Sequence, residues 1–239
     1  MIDQMLMKLR ARDNVSELEE QVLRNSISEV RKVATDQVVV RADVELHECV
    51  LLLNGFMCRY KDLANGERQI CELHVAGDFV DLHSFPLKKL DHNVMALVPC
   101  EIAIVPHDRV MQITEDHPHL TRLLWFSTTL DAAIHREWVL SLGRRTAVAR
   151  VVHLFCELHV RLGIVGMADA DGYDLPLTQQ DLAECMGMTG VHLNRVLATC
   201  KAEGAVTFER RRVRFHDLER AHAIAEFTAD YLYAEPRPR

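Results

Sequence analysis

Three side chains suited to reading bases lie together near the C-terminal end of the chain. His192, Asn194 and Arg195 fall within four consecutive positions. Arginine can bind a guanine edge through two hydrogen bonds, and asparagine can do the same with adenine. Four arginines follow within five positions: Arg210, Arg211, Arg212 and Arg214. Guanidinium groups can bind phosphates, so the two clusters together indicate double-stranded DNA as a partner.

The stretch Thr178–Leu197 predicts the two helices that would position the base-reading side chains. Thr178 followed by Asp181 resembles a capping box that starts the first helix. Gly187 suits the left-handed backbone of a tight turn, and Thr189 can cap the second helix. The pattern therefore predicts a helix-turn-helix, whose second helix can enter the major groove of DNA.

The candidate DNA-binding residues lie at the starts of both predicted helices, on the outward face of the second helix and in the arginine-rich loop. They are Thr178, Gln179, Thr189, Gly190, Val191, His192, Asn194, Arg195, Arg210, Arg211 and Arg212. The apolar segments Val206–Glu209 and Val213–His216 flank the arginines and predict a two-stranded wing. A plain helical hairpin with a solvated charged loop is the alternative, and the wing favours DNA binding over it.

A long helix is predicted upstream, over residues 118–142. Its apolar side chains recur every three or four positions and form the candidate dimer interface: Leu120, Leu123, Leu124, Leu130, Ile134 and Trp138. A helix of this length spans roughly 37 Å, which is more than a small barrel can cover. The stripe therefore indicates a homodimer seam, and an amphipathic helix packed on its own domain is the alternative.

The first half of the chain predicts a small all-β domain after a helical start. Residues 1–35 have apolar side chains at helical spacing. From Gln37 onward, short apolar runs alternate with turns, and Gly55, Gly66 and Gly77 are spaced by eleven residues. Strands and turns at that interval are typical of a β-sandwich or a small barrel.

Composition narrows the class of protein. The 28 Lys and Arg residues are outnumbered by 35 Asp and Glu, for a net charge of −7, and the acidic excess lies outside the arginine cluster. Every apolar run is shorter than the roughly 18–20 residues of a membrane span, and no signal peptide is recognisable. A cytoplasmic protein without a membrane partner is therefore expected. Seven scattered cysteines without a Cys-x-x-Cys spacing predict free thiols.

The order of these elements resembles the family of the cyclic-AMP receptor protein and the fumarate–nitrate reductase regulator, the Crp/Fnr family. The resemblance covers nearly the whole chain. It rests on Gly66-Glu67, Gly77-Asp78-Phe79, the long central helix, and TQQDLAECMGMTGVHLNRVL followed by Glu203-Gly204.

The resemblance implies an α+β fold with an N-terminal β-roll of the cyclic-nucleotide-binding jelly-roll type, a dimerisation helix and a C-terminal winged helix-turn-helix. The implied domains are residues 1–117, 118–143 and 144–239. The resemblance also implies a transcription regulator that binds an inverted-repeat operator as a homodimer through the helix around residues 189–203. RNA polymerase is a further expected partner if the protein activates transcription.

The known effector sites of the family are not matched. Its cyclic-nucleotide binders carry a Glu for the ribose and an Arg-Ser pair for the phosphate after the Gly-Asp-Phe segment. Here Leu82 stands at the Glu position and Leu90-Asp91 at the Arg-Ser position. Because the Asp would repel a phosphate, cyclic nucleotide binding is not expected. Lys88 and Lys89 fit a solvated loop better than an anion site.

The sequence gives little evidence for other cofactors. The oxygen-sensing branch needs an N-terminal cysteine cluster for its iron–sulfur centre, whereas the first cysteine is Cys49. No metal site and no cofactor is evident. Haem stays open, because a single His or Cys ligand leaves no spacing signature.

The second helix also departs from the family. Arg195 matches the arginine that the family uses on guanine. Val191 replaces a glutamate common in both named branches, and Asn194 stands at a serine or glycine position. The operator is therefore expected to differ from that of either branch.

Three functions compete: a transcription regulator, a ligand-binding module whose C-terminal domain contacts protein, and an enzyme built on a cupin-like roll. Such an enzyme would gather His and Glu ligands on neighbouring strands, but His47 with His74 or His83 lacks a His-x-His spacing. The complete helix-turn-helix favours the regulator, and no enzymatic activity is expected. The effector, the regulated genes and the sign of regulation have no signal in the sequence.

Overall fold

A computed structural model describes residues 1–237 and contains two compact units. The first unit comprises Met1–Lys61, Glu72–Ala132 and the C-terminal segment from Tyr233; the second comprises Asp62–Cys71 and Ala133–Leu232. The predicted α+β class, with an N-terminal roll, a long helix and a C-terminal winged helix-turn-helix, is confirmed. The predicted domain limits stay a prediction.

Seven strands form two antiparallel sheets in the N-terminal roll. They are β1 (Glu29–Val33), β2 (Val38–Val40), β3 (Glu48–Asn54), β4 (Met57–Asp62), β5 (Arg68–His74), β6 (Asn93–Ala96) and β7 (Cys100–Pro106). One sheet has the order β1-β7-β3 and the other β2-β6-β4-β5. The runs of β3 and β7 are almost continuously apolar and buried, as expected of strands at the centre of a core.

Helices cover the roll of the first unit: α1 (Asp3–Arg12), α2 (Glu17–Asn25), α3 (Ser84–Leu87), α4 (His107–Asp116) and the first part of α5 (Pro118–Arg144). α2 begins with a capping box between Ser16 and Glu19. The helical prediction for residues 1–35 is wrong from Glu29 onward, because Glu29–Val33 form β1 and pair with β7. Four of its five side chains are exposed, so its burial pattern carries no alternation.

α1 packs directly on the turn that follows β5. Its side chains Met5, Leu6 and Leu9 are buried in one core cluster with residues of β3, β7 and α5. A Cβ atom on Gly77 would lie 2.7 Å from the backbone carbon of Gln4, so only glycine allows this approach. The Lys8 ammonium pairs with the Asp78 carboxylate in the same contact.

The second unit holds α6 (Ala147–Ile164), α7 (Gln179–Met186), α8 (Gly190–Ala202), α9 (Leu218–Ala225) and the 3-10 helix Asp230–Leu232. Its strands are β8 (Gly172–Asp174), β9 (Val206–Glu209) and β10 (Arg212–Phe215), in the order β8-β10-β9. The predicted two-stranded wing is therefore part of a three-stranded sheet. The third strand, β8, has three residues, which is too short for a periodic signal.

Most of the α5 stripe that the sequence predicts as a dimer interface is buried within the single chain. Leu120, Leu123 and Leu124 belong to the core cluster of the first unit. Ile134 and Trp138 are 3% and 6% exposed, and the Trp138 indole donates to Glu157 on α6. Leu130 is half-buried. The other five side chains are therefore buried within their own protomer, and Leu130 keeps partial exposure.

A different stripe of α5 is exposed. Its members recur at alternating steps of three and four residues: Arg122, Trp125, Thr129, Ala132, Arg136, Val139 and Gly143. Trp125 and Val139 are 72% and 71% exposed. We call these seven residues the exposed stripe. Its spacing is that of a coiled-coil seam.

Candidate DNA interface

The first helix of the motif, α7, begins at a complete capping box. The Thr178 hydroxyl accepts from the backbone N–H of Asp181, and the Asp181 carboxylate accepts from the backbone N–H of Thr178 at 2.7 Å. Thr178 and Gln179 are both exposed. Helix N-termini present backbone N–H groups that suit phosphate oxygens, so both predicted residues lie where a phosphate contact is feasible.

The turn after α7 is held by hydrogen bonds to its last carbonyl groups. Gly187 has φ 60° and ψ 43°, and its N–H donates to Ala183. The Gln69 amide donates to the carbonyls of Glu184 and Cys185 at 2.8 and 3.3 Å. The Arg150 guanidinium donates to the carbonyl of Met186.

The contacts of Gln69 and Arg150 have no signal in the sequence. Gln69 lies more than a hundred positions before the turn, and a single glutamine in a hairpin gives no local sign of a distant partner. Arg150 lies in the first turn of α6, where residues 147–150 are all half-buried, and an arginine at such a position is unremarkable. Both residues hydrogen-bond the carbonyl groups at the end of α7 and so position the turn that leads into α8.

On the second helix, α8, the side chains predicted to read bases are exposed. Thr189 caps it by accepting from the backbone N–H of His192 at 3.3 Å. Leu193, Val196 and Cys200 are buried. The residues on the opposite side are exposed: Val191, His192, Asn194 and Arg195. Gly190, the first residue of the helix, is half-buried.

Within this face, Val191 and Arg195 lie one turn apart and opposite the buried residues, because a helix turns 100° per residue. His192 and Asn194 lie at the two edges of the same face. Arg195 forms no ion pair with any of residues 1–237. Its guanidinium is therefore available to a base edge or a phosphate.

The wing ends in a strained turn made of arginines. β9 and β10 pair directly, with Arg212 opposite Glu209. Arg210 and Arg211 at the turn have φ of 51° and 60°. Two consecutive left-handed residues are typical of a type I′ turn, which prefers Asn-Gly. A non-glycine residue in this conformation costs about 1–2 kcal/mol, so the chain gives up stability to expose two guanidinium groups there.

Arg212 is placed differently from the prediction. Its guanidinium donates to Asp174 at 2.9 Å and to Asp169 at 2.6 Å. These hydrogen bonds raise the pKa of Arg212 above its ordinary value, and the two carboxylates compensate its charge. Arg212 therefore fastens β10 to the β8 side of the sheet. The exposed Arg214 on β10 is the better candidate for a phosphate contact.

Two domain families match the chain. Residues 149–221 match the Crp-like helix-turn-helix domain, and residues 30–117 match the cyclic nucleotide-binding domain. The first match contains α7, α8 and the wing, and the second contains the strands of the roll.

Relatives and solved structures agree with these matches. The chain is 27% identical over 200 residues to the transcriptional activator protein FnrL of Cereibacter sphaeroides, covering 81% of this chain and 79% of the relative. It is 27% identical over 179 residues to the nitrogen fixation regulation protein FixK of Bradyrhizobium diazoefficiens, covering 73% and 72%. The structure of FixK2 from Bradyrhizobium japonicum has the same fold, with a TM-score of 0.73 at 21% identity, covering 85% of this chain and 100% of that one.

Replacing the strained turn should separate stability from DNA binding. We expect the double variant Arg210→Asn, Arg211→Gly to unfold with a free energy about 1–2 kcal/mol higher, since Asn-Gly fits the type I′ turn. The same variant should bind specific and random DNA more weakly, with a salt dependence flattened by about two ions. Denaturant unfolding and binding titrations at several salt concentrations measure the two effects.

The matched control is the double variant Arg210→Lys, Arg211→Lys, which keeps both charges and both strained positions. It should retain the salt dependence and gain no stability. An Asn-Gly variant that is more stable but keeps the original salt dependence would show that these arginines do not contact phosphates.

Proposed function

The chain belongs to the Crp/Fnr family of DNA-binding transcription regulators, and from this premise we propose that two copies bind one inverted-repeat operator through α8. The exposed face of α8 is the observation that carries the proposal. It combines a helix N-terminus, an arginine without an ion pair among the described residues, and flanking polar side chains. A recognition helix needs these features in the major groove.

The proposal assigns two kinds of contact. Arg195 binds a guanine edge, with Asn194 and His192 at the neighbouring positions of the face. Arg210, Arg211 and Arg214, together with the N-terminus of α7 at Thr178 and Gln179, bind phosphates. Thr189 and Gly190 bring the start of α8 close to the groove. Bases then supply sequence preference, and phosphates supply affinity.

A homodimer through α5 follows from the symmetry of such operators. The exposed stripe supports it, because its large apolar members, Trp125 and Val139, are more than two-thirds exposed in the single chain. Its small members, Thr129, Ala132 and Gly143, allow two helices to approach closely. The proposed seam therefore lies on the exposed stripe of α5 and not on the side predicted from the sequence.

We also propose that the protein acts as a transcription regulator and not as an enzyme. The relatives named above are transcription regulators. Because FnrL is named an activator, we propose RNA polymerase as a further partner of this chain. No helix among residues 1–237 is both long and apolar enough to cross a membrane.

Contacts in the interior of the roll support our proposal that no cyclic nucleotide binds there. Arg59 on β4 is 4% exposed, and its guanidinium donates to Glu72 at 2.5 Å and to Asp131 on α5 at 2.9 Å. Its Nε donates to the carbonyl of Val80 at 2.8 Å, within the segment where the family's nucleotide binders begin their phosphate cassette. Burial alone would lower the pKa of Arg59, but the two carboxylates raise it above its ordinary value.

The cassette positions themselves are occupied by the core. Leu82 and Leu90 are 5% and 2% exposed, and Asp91 pairs with Lys61 at 2.8 Å. We propose that the protein's own ion pairs take the place that a ribose and a cyclic phosphate occupy in nucleotide-binding relatives. Roll and long helix are then joined through Arg59 and Asp131 without a ligand.

Cyclic AMP and cyclic GMP should therefore not bind. Titration calorimetry of the full chain with each nucleotide should give no binding heat, because a ligand would have to displace a buried ion pair and insert its phosphate beside Asp91. A dissociation constant in the micromolar range or tighter for either nucleotide would contradict this proposal.

The exposed stripe predicts how the dimer can be broken. We expect the double variant Trp125→Glu, Val139→Glu to be monomeric by light scattering, because each carboxylate would be buried against its symmetric copy. The control is Met111→Glu, a change at an exposed apolar residue of α4, which should leave the dimer intact. A Trp125, Val139 variant that stays fully dimeric would place the interface elsewhere.

Binding-site selection tests the operator and the role of Arg195. The wild-type protein should enrich two inverted half-sites, roughly 34 Å apart centre to centre. Arg195→Ala should lose about 1–3 kcal/mol of binding free energy and relax the preference at one position in each half-site. The control Arg214→Ala should weaken specific and random DNA alike and keep the motif. Equally sharp motifs from wild type and Arg195→Ala would show that Arg195 does not read a base.

A further inference from the structure

The centre of the recognition face carries an apolar side chain. Val191 lies in the first turn of α8 and is 64% exposed. It points away from the buried Leu193 and Val196, and Arg195 follows it by one turn. Scattered exposed valines are ordinary on protein surfaces. This one, however, shares the outward face of α8 with Arg195, so it enters the groove together with Arg195 if that residue reads a base.

The chemistry of valine restricts what it can face there. A valine side chain has neither donor nor acceptor, so a base edge placed against it loses water without gaining a hydrogen bond. In the major groove, adenine, guanine and cytosine present polar groups, whereas thymine also presents a C5 methyl group. An exposed valine on this face therefore favours thymine and disfavours the other three bases.

Its neighbours allow close approach to the base. Gly190 precedes it, and a Cβ atom built on Gly190 would meet only the Gln180 side chain, at 3.8 Å. Ala198 lies further along the same face and is exposed. Since Gly190 has no side chain and Ala198 has a single methyl group, neither residue holds the helix backbone away from the groove floor, and Val191 can make a methyl–methyl contact there.

We propose that Val191 reads the C5 methyl group of a thymine in each half-site, beside the guanine bound by Arg195. The proposal rests on the proposed function, since it requires α8 to lie in the major groove. Four residues of helix advance about 6 Å, and one base step advances about 3.4 Å. The thymine is therefore within one or two base pairs of the guanine.

The experiment uses the operator that binding-site selection yields with the full chain. Each candidate thymine is replaced in turn by deoxyuracil, which removes only the methyl group. For the Val191 thymine we expect about a fourfold loss of affinity per half-site and about fifteenfold for both, from the transfer free energy of one buried methyl. Thymines outside the contacted positions of the same operator are the matched controls and should show no loss.

A protein variant links the loss to the side chain. In Val191→Ala the difference in affinity between the thymine and deoxyuracil operators should shrink well below fourfold, because the alanine methyl lies one bond short of the valine methyls, and selection should enrich that thymine less. Val44→Ala, at another exposed valine, should behave as the wild type. Since both substitutions are at exposed positions, unfolding transitions of the two variants should match that of the wild type.

The outcomes distinguish the role of Val191 from the proposed function on which it rests. Specific binding that depends on Arg195 but shows no deoxyuracil effect, or the same thymine preference in Val191→Ala, would overturn the role of Val191 and leave the proposed function standing. Failure of the wild-type protein to enrich any DNA sequence would overturn the proposed function and this inference with it.

Discussion

Hydrogen bonding of the carbonyl groups at the end of α7 controls the geometry on which DNA reading depends. The last four carbonyls of a helix have no partner within the helix, and here Cys185 and Met186 are buried. Gly187, Gln69 and Arg150 supply donors from three separate segments. Because buried backbone groups must be paired, these donors fix where α7 stops. The direction of α8, and with it the exposed face, follows from that stop.

The interior of each unit contains buried charged groups, and their burial is stable only because they are paired with one another. In the first unit Arg59 is paired with Glu72 and Asp131. In the second unit the fully buried Glu157 accepts from Trp138, Arg161 and Tyr231. Removing one partner of such a group leaves a buried charge uncompensated and costs several kcal/mol. In both units a residue of α5 belongs to the network, Asp131 in the first and Trp138 in the second.

Local signals in the sequence are sufficient to predict the helix-turn-helix, but they do not predict the contacts around it. The capping box at Thr178 and the glycine at position 187 act within a few residues, so the helix-turn-helix could be predicted. Strand β1 could not be predicted in this way. Glu29–Val33 is mostly exposed, and it is a strand because it pairs with β7. The exposed stripe has a weak signal because Trp125 and Val139 are its only large apolar residues, whereas the buried side of α5 has several. Arg212 pairs with Asp169 and Asp174, and Gln69 pairs with the end of α7. These contacts join segments that are far apart in sequence, so local patterns do not predict them.

The net charge of −7 is compatible with DNA binding because of where the charges lie. Arg195, Arg210, Arg211 and Arg214 are on one compact unit, within a recognition helix and a wing. At physiological ionic strength charges are screened beyond about 8 Å, so the acidic remainder of the chain acts on DNA mainly through weak long-range repulsion. Non-specific binding relies almost entirely on electrostatic attraction, whereas specific binding adds base contacts. The acidic background therefore lowers the affinity for specific and non-specific DNA by similar factors, and the base contacts of α8 set the specificity ratio that determines whether an operator is found among competing sites.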